Sequence, residues 1–116
     1  NVIRKKLKKI NKPKILMLGA TFKENCPDIR NSKLLKLKII LNKNNYYTDI
    51  YDPWLEKTNS KNNFLDKMPL NKRYHLIFIG VKHQYFKKIG LKRIKKSSSL
   101  KNVLIYDYKN IFGVIK

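Results

Sequence analysis

Four short apolar runs along the chain predict four β-strands. The first, KILML, ends at Gly19, and its apolar residues follow one another without alternation, as is typical of a strand buried on both faces. Residues 46–51 alternate enough for a further strand, which the Asp52-Pro53 pair would terminate. The predicted strands are residues 14–18, 46–51, 75–81 and 102–106.

Helical spacing of apolar residues separates these strands. Residues 1–12 are basic and carry apolar side chains at about every third or fourth position, so we expect the end of an upstream helix or a linker before Pro13. A longer helix is predicted after a cap at Asn31 or Ser32. Its apolar face comprises Leu34, Leu37 and Leu41, widened by Leu35 and Ile39. The remaining segments are one or two helical pieces over residues 84–89 and 91–96, and a short helix or loop over residues 59–67.

The order of these elements predicts the fold class. Strands that are apolar on both faces and separated by helices are typical of parallel βαβ units. We therefore expect an α/β fold, Rossmann-like and doubly wound, with a mainly parallel sheet flanked by helices. Ligands of such sheets bind beyond the carboxyl ends of the strands. The candidate site accordingly comprises the loop after Leu18 and the segments YDPW, GVKHQ and DYKN.

Length and composition narrow the class of protein. A chain of 116 residues with 42% hydrophobic content can form one domain with its own core. No apolar run reaches the roughly 18 residues that a membrane span needs, and the N-terminus offers no stretch suited to a secretory signal. Cys26 is the only cysteine, so no internal disulfide is possible. We expect a cytoplasmic protein without a membrane partner.

The formal net charge of +21 first indicates a nucleic-acid-binding protein. The basic residues, however, are 24 lysines and only four arginines, spread over almost every segment. Nucleic-acid surfaces gather arginine, whose planar guanidinium binds phosphate and guanine through two hydrogen bonds. We therefore expect no specific nucleic acid as partner, although the positive field favours any anionic ligand.

Phosphate binding, if present, must rely on side chains. A dinucleotide fingerprint needs three glycines, whereas Gly19 is followed by ATFKEN, and the four glycines of the chain are too far apart for a phosphate-binding loop. Lys23 follows the first predicted strand and Lys109 the last, where the sheet would direct both toward one crevice.

Other candidate groups are weaker. Cys26 has no base beside it, and two histidines with one cysteine lack the spacing of a metal site, so we expect neither a nucleophile nor a metal. His83, at a strand end, is the better candidate to line a pocket. Pro27 fixes a turn, and Asp28 can accept backbone N–H groups or pair with Arg30. That loop is open to two interpretations, a helix-capping turn and a ligand site.

Four motifs, GATFKENCPDIRNSK, DIYDPW, FIGVKHQYF and IYDYKNIF, resemble in order and spacing the C-terminal, UDP-binding domain of the UDP-glucose/GDP-mannose dehydrogenase family. The resemblance covers residues 14–112. The sequence FKENCPDIRNS is most similar to the corresponding motif of the branch that oxidises UDP-N-acetylhexosamines to uronic acids for surface polysaccharides. The family oxidises the C6 alcohol of its sugar to a carboxylate in two NAD-dependent steps.

The resemblance implies a role for each matching residue. Phe22 and Lys23 would contact the UDP-sugar, as would Lys109, which stands where some relatives have arginine. Arg30 would reach NAD, bound mainly by the N-terminal domain of the family. Pro27 and Asp28, within the motif FKENCPDIR, would shape the loop.

The family's N-terminal NAD-binding domain and central helical domain have no counterpart in this chain, so residues 13–116 would be the UDP-sugar-binding domain alone. No catalytic residue is expected here, and Cys26 is not the family's nucleophile. The full-length enzyme would form a homo-oligomer. Alternatives are a UDP-glucose 6-dehydrogenase domain, a basic nucleic-acid-binding module and an inactive relic domain.

Overall fold

The computed structural model describes residues 12–19, 33–53, 65, 67–81, 83–108 and 111–112, with side chains of the first helix described from residue 36 onward. In chain order the elements are β1 (Lys14–Leu18), α1 (Lys33–Lys43), β2 (Tyr47–Tyr51), β3 (Leu76–Ile79), α2 (Gln84–Lys95) and β4 (Leu104–Asp107). All four predicted strands are present. The segments predicted over residues 1–12 and 59–67 fall largely outside the described residues.

The four strands form one parallel sheet in the order β2-β1-β3-β4. From β1 the chain passes to β2 on one side, and it later continues to β3 and β4 on the other. The strand order therefore reverses between β1 and β3, which is where a doubly wound sheet opens a crevice at its carboxyl edge. The predicted α/β, doubly wound class is confirmed.

Both faces of the sheet are buried, because β1 sends alternate side chains into two cores. Leu16 and Leu18 join the larger cluster beneath α2, which contributes Phe86 and Ile94. Ile15 and Met17 join a second cluster on the opposite face. Each fully buried aliphatic side chain contributes about 1.5 to 3 kcal/mol. Burial on both sides explains why KILML shows no alternation of apolar and polar residues.

Helix α1 covers its face with a narrower stripe than the sequence predicts. Leu37 and Leu41, one helical turn apart, pack against the second cluster. Ile39 was expected to widen this face, but its side chain is 57% exposed, and that of Ile40 is 55% exposed. The expectation for Ile39 is wrong because α1 contacts the edge strand β2, so that among the side chains described from residue 36 onward only the line of Leu37 and Leu41 reaches the sheet.

Helix α2 is interrupted at Gly90, whose φ of 82° and ψ of 163° are not helical. No atom lies within 4 Å of a Cβ built at this position, so the positive φ rather than crowding favours glycine. The break divides α2 at the boundary between the two helical segments predicted over residues 84–89 and 91–96. Within the described residues, no helix has the length and apolarity needed to span a membrane.

Candidate functional site

The carboxyl ends of the strands are held in line with one another. Three main-chain hydrogen bonds of 2.8 to 3.1 Å extend the pairing one residue beyond the strands, from Gly19 N–H to the Tyr51 carbonyl, from Gly80 N–H to the Leu18 carbonyl and from Tyr108 N–H to the Ile79 carbonyl. The segments that leave the sheet therefore start from fixed points along one edge.

Gly19 is required at the end of β1 for two reasons. Its φ is +99°, which side chains rarely tolerate, and a Cβ built on it would lie 2.6 Å from the Cβ of Val81. The space that a side chain would fill is thus taken by the segment after β3. Gly19 therefore allows close packing across the switch point between β1 and β3.

A buried pair joins two of the strand ends. The Nε2–H of His83 donates to Oδ2 of Asp52 over 2.9 Å, since a carboxylate can only accept, and both side chains are 0% exposed. His83 occupies the N-cap position of α2 but makes no side-chain cap hydrogen bond there. His83 was expected to line a pocket; instead its ring is enclosed beside Phe86, 5.6 Å between ring centroids.

Asp107 anchors the turn that follows β4. Its two carboxylate oxygens accept the N–H groups of Ile111 and Phe112 over 2.9 and 2.8 Å. Ile111 is buried in the larger cluster and Phe112 packs against it. The carboxylate and the core therefore fix both ends of the short segment that contains Lys109.

At the opposite, amino edge of the sheet, a partly exposed polar cluster extends to Asp49 in the middle of β2. The Tyr74 hydroxyl donates to Asp49 over 2.7 Å, and the Lys14 Nζ lies 3.9 Å from the same carboxylate and 5.2 Å from the Tyr74 ring centre. Burial, followed by the hydrogen bond and charge of Asp49, raises the pKa of Tyr74 above its ordinary value.

His75, at the same edge, accepts a main-chain hydrogen bond: the backbone N–H of Lys14 donates to Nδ1 of His75 over 3.0 Å. Burial and the nearby charge of Arg73 lower the pKa of His75.

A groove of about 510 Å³ lies beside the beginning of β2, lined by Lys38, Asn42, Asn45 and residues 46–49. Thr48 Oγ1 is buried there and has no hydrogen-bond partner among the described groups. Burial lowers the pKa of Lys38, with the charge of Asp49 acting in the opposite direction. The groove is remote from the carboxyl edge and brings together none of the predicted site residues.

The acidic residues of the described segments are all used within the fold. Against 28 basic residues the chain has seven acidic ones. Asp49 binds Tyr74, Asp52 binds His83 and Asp107 binds backbone N–H groups. The three carboxylates of the described residues therefore have partners within the fold, and the chain as a whole keeps a formal net charge of +21.

All the predicted site residues lie outside the described residues: Phe22, Lys23, Pro27, Asp28, Arg30 and Lys109. The structure nevertheless fixes the points between which they occur. Their loop starts after Gly19 at the switch point, and Lys109 directly follows Tyr108 at the end of β4. Asp52 and Asp107 lie in the segments YDPW and DYKN that the sequence predicted for this edge, but no role was predicted for either side chain, although polar residues directly at the ends of apolar strands were a usable signal.

Fold and edge together define a parallel, doubly wound α/β domain whose strands end in line along one carboxyl edge. The profile of the UDP-glucose/GDP-mannose dehydrogenase family, UDP binding domain, matches residues 16–114. The chain is 37% identical over 101 residues to a UDP-N-acetyl-D-glucosamine 6-dehydrogenase of Salmonella typhi, which covers 84% of this chain and 23% of the relative. It is 34% identical over 116 residues to a UDP-N-acetyl-D-mannosamine dehydrogenase of Methanococcus vannielii. This match covers 97% of this chain and 27% of the relative. The chain belongs to the UDP-glucose/GDP-mannose dehydrogenase family, as its motifs predicted.

Solved structures agree on the fold. A structure of the UDP-N-acetyl-mannosamine dehydrogenase Cap5O from S. aureus superposes with a TM-score of 0.68 at 26% identity, covering 97% of this chain and 30% of that one. A UDP-D-ManNAc dehydrogenase from Pyrococcus horikoshii superposes with a TM-score of 0.60 at 24% identity. The superposition covers 83% of this chain and 23% of that one. The chain thus spans about a quarter of the length of the relatives it matches.

Proposed function

We propose that residues 13–116 form the UDP-sugar-binding domain of an NAD-dependent UDP-N-acetylhexosamine 6-dehydrogenase. The reaction oxidises the C6 alcohol of the sugar to a carboxylate and supplies uronic acids for surface polysaccharide. The observation that carries this proposal is the family match over residues 16–114, which includes the segments after all four strands. The names of the relatives from Salmonella typhi and Methanococcus vannielii support the N-acetylhexosamine branch.

In this proposal the carboxyl edge binds the UDP part of the substrate. Lys23 and Lys109 place ammonium groups beside the diphosphate, which they attract as point charges. Phe22 contacts the same nucleotide-sugar. Gly19 and Asp107 support this arrangement, because they fix the starts of the two segments that carry the lysines.

NAD does not fit the described part of this chain. The turn after β1 has one glycine where a dinucleotide site uses three, and the space beside Gly19 is filled by Val81. We therefore assign NAD mainly to another domain of the enzyme, with Arg30 reaching it from the loop, and we place no catalytic residue in this chain. The partners of the domain are then the remaining domains of the dehydrogenase, in a cytoplasmic homo-oligomer.

The contribution of such a domain to catalysis is positional. Contacts to the remote UDP group hold the sugar in place, so that binding energy is used to orient the reacting carbon. The isolated chain would bind UDP weakly and catalyse nothing.

Isothermal calorimetry with UDP tests the proposal. Lys23→Ala should weaken binding several-fold, roughly the loss of one charge-assisted contact. Lys101→Ala is the matched control, because Lys101 is exposed in the turn before β4, at the opposite edge of the sheet. Equal affinities for Lys23→Ala and the wild type would remove the role of that lysine.

The same titration separates the alternatives. A basic nucleic-acid-binding module would bind duplex DNA with a steep dependence on salt and would show no preference for UDP. A chain that binds neither ligand would be a relic domain. Preference between UDP-glucose and a UDP-N-acetylhexosamine has to be measured in the complete enzyme.

A further inference from the structure

The buried pair Asp52–His83 is a part of the carboxyl edge to which the proposed function gives no task. Asp52 directly follows β2, and His83 lies four residues beyond β3. Because β1 lies between β2 and β3, the hydrogen bond joins segments on either side of the end of β1. It closes a frame around the point where the chain leaves β1.

Gly19 contacts both sides of this frame. Its N–H donates over 2.8 Å to the carbonyl of Tyr51, the residue before Asp52. On the other side Val81, two residues before His83, occupies the space next to the Cα of Gly19. The position of Gly19 therefore depends on the distance between the two segments that the pair joins.

The form of the contact indicates a geometric role. Transfer of a carboxylate into a protein interior is costly, and apolar residues of similar volume often replace buried ion pairs with no loss of stability. A hydrogen bond adds what apolar contacts lack, a defined direction and distance. His83 also makes no cap bond to α2, although it stands at the N-cap position.

We propose that Asp52 and His83 are positioning residues that set the direction in which residues 20–32 leave the sheet. Through Gly19 they orient the loop that carries Lys23 toward the UDP diphosphate. This inference rests on the proposed function for its ligand, although the geometry of the frame can be measured without UDP.

Three variants separate positioning from simple stability. His83→Leu removes the donor and keeps an apolar side chain in the buried space. His83→Gln keeps an N–H group at a reach similar to that of Nε2. Ile94→Val, in the second part of α2, trims a side chain that is 0% exposed in the larger cluster and leaves the carboxyl edge intact.

UDP affinity is measured by calorimetry at a temperature at which circular dichroism shows each variant to be folded. His83→Leu should raise the Kd about tenfold, the size of one lost charge-assisted hydrogen bond, and His83→Gln should restore binding to within about threefold of wild type. Ile94→Val should leave the Kd unchanged. An unchanged Kd in His83→Leu, or an equal loss in Ile94→Val, overturns the proposal.

Hydrogen exchange of the amides of residues 19–24 provides the readout that needs no ligand. The exchange should be faster in His83→Leu than in wild type and unchanged in Ile94→Val. If wild type binds no UDP but the exchange responds, the proposed function fails and the positioning role stands. If UDP binds and neither the Kd nor the exchange responds, the positioning role fails. Should His83→Leu not fold, Asp52→Asn takes its place, with an expected rise in Kd of about threefold because the acceptor loses its charge.

Discussion

The two edges of the sheet use aspartate in different ways. At the amino edge, Asp49 binds Tyr74 and lies 3.9 Å from a Lys14 side chain that is 30% exposed. At the carboxyl edge, Asp52 and His83 are both 0% exposed and 2.9 Å apart. Asp49 thus has one partly exposed partner, Lys14, and one buried partner, Tyr74, whereas Asp52 and His83 are both fully enclosed.

This difference in burial decides what each contact contributes. An exposed ion pair is screened by solvent and adds little to stability. Removing one partner of a fully enclosed pair is strongly destabilising, because the other partner is left buried without it. The amino edge therefore ties strands together, whereas the carboxyl edge fixes the points from which ligand loops begin.

The largest contrast is expected from removing each aspartate. Asp52→Ala deletes the carboxylate that His83 binds and should lower the free energy of unfolding by about 3 kcal/mol. Asp49→Ala is the matched variant at the amino edge and should cost about 1 kcal/mol, mainly the hydrogen bond from Tyr74. Urea denaturation at pH 7 measures both. Equal losses would remove the distinction between the edges.

A smaller effect is expected from Gly19→Ala. The positive φ and the contact with Val81 should together lower the free energy of unfolding by about 2 kcal/mol. Val81→Gly removes the two side-chain atoms that the new Cβ would meet at 2.6 and 2.8 Å and leaves the backbone nitrogen at 3.0 Å, so Gly19→Ala should cost about 1 kcal/mol less in that background. Denaturation of the two single variants and the double variant completes the cycle. The same cost in both backgrounds would show that Val81 does not constrain Gly19.

At the amino edge, Tyr74→Phe removes the hydrogen bond to Asp49 and should lower the free energy of unfolding by about 1 kcal/mol at pH 7. The raised pKa of Tyr74 means that the folded chain retains this proton at a pH where the unfolded chain releases it. The advantage of wild type over Tyr74→Phe is therefore full below about pH 10 and declines as the pH rises further. A constant difference between the two proteins from pH 8 to pH 11 would contradict this assignment.

The smallest effect concerns His75, whose Nδ1 accepts the Lys14 N–H and whose pKa is lowered. Since the unfolded chain takes up the proton first as the pH falls, wild type should lose stability from about pH 6.5 downward. His75→Asn places an amide oxygen near the position of Nδ1 and should lack this part of the slope. If the free energy of unfolding changes equally with pH in the two proteins between pH 7 and pH 5, titration of His75 does not contribute to the slope.

The sequence predicted the strands well because their signal is local. An unbroken apolar run such as residues 14–18 needs no knowledge of the neighbouring strand, and Gly90 marks a helix break by its own chemistry. Ile39 could not be placed correctly, because its exposure depends on how far α1 extends over the sheet. The periodicity of a helix shows which residues share a face but not how much of that face is covered.

The frame at the carboxyl edge depends on tertiary structure. Asp52 and His83 are 31 residues apart in sequence. They meet because β2 and β3 flank β1 in the sheet and the segments that follow these two strands join beyond the end of β1. Motif resemblance predicted the ligand loop with Lys23 and Arg30, and those roles stay predictions. Resemblance says which residues bind in relatives, whereas the supporting contacts of Gly19 and Asp107 required coordinates.

The most direct test of the account is a UDP titration of the ¹⁵N-labelled chain followed by NMR. We predict that chemical-shift changes cluster on amides at the carboxyl edge, including Gly19, Val81 and Asp107, and that Lys14 and Tyr74 at the amino edge stay unchanged. Changes concentrated at the amino edge, or spread evenly over the lysines of α1 and α2, would contradict a UDP site at the carboxyl edge.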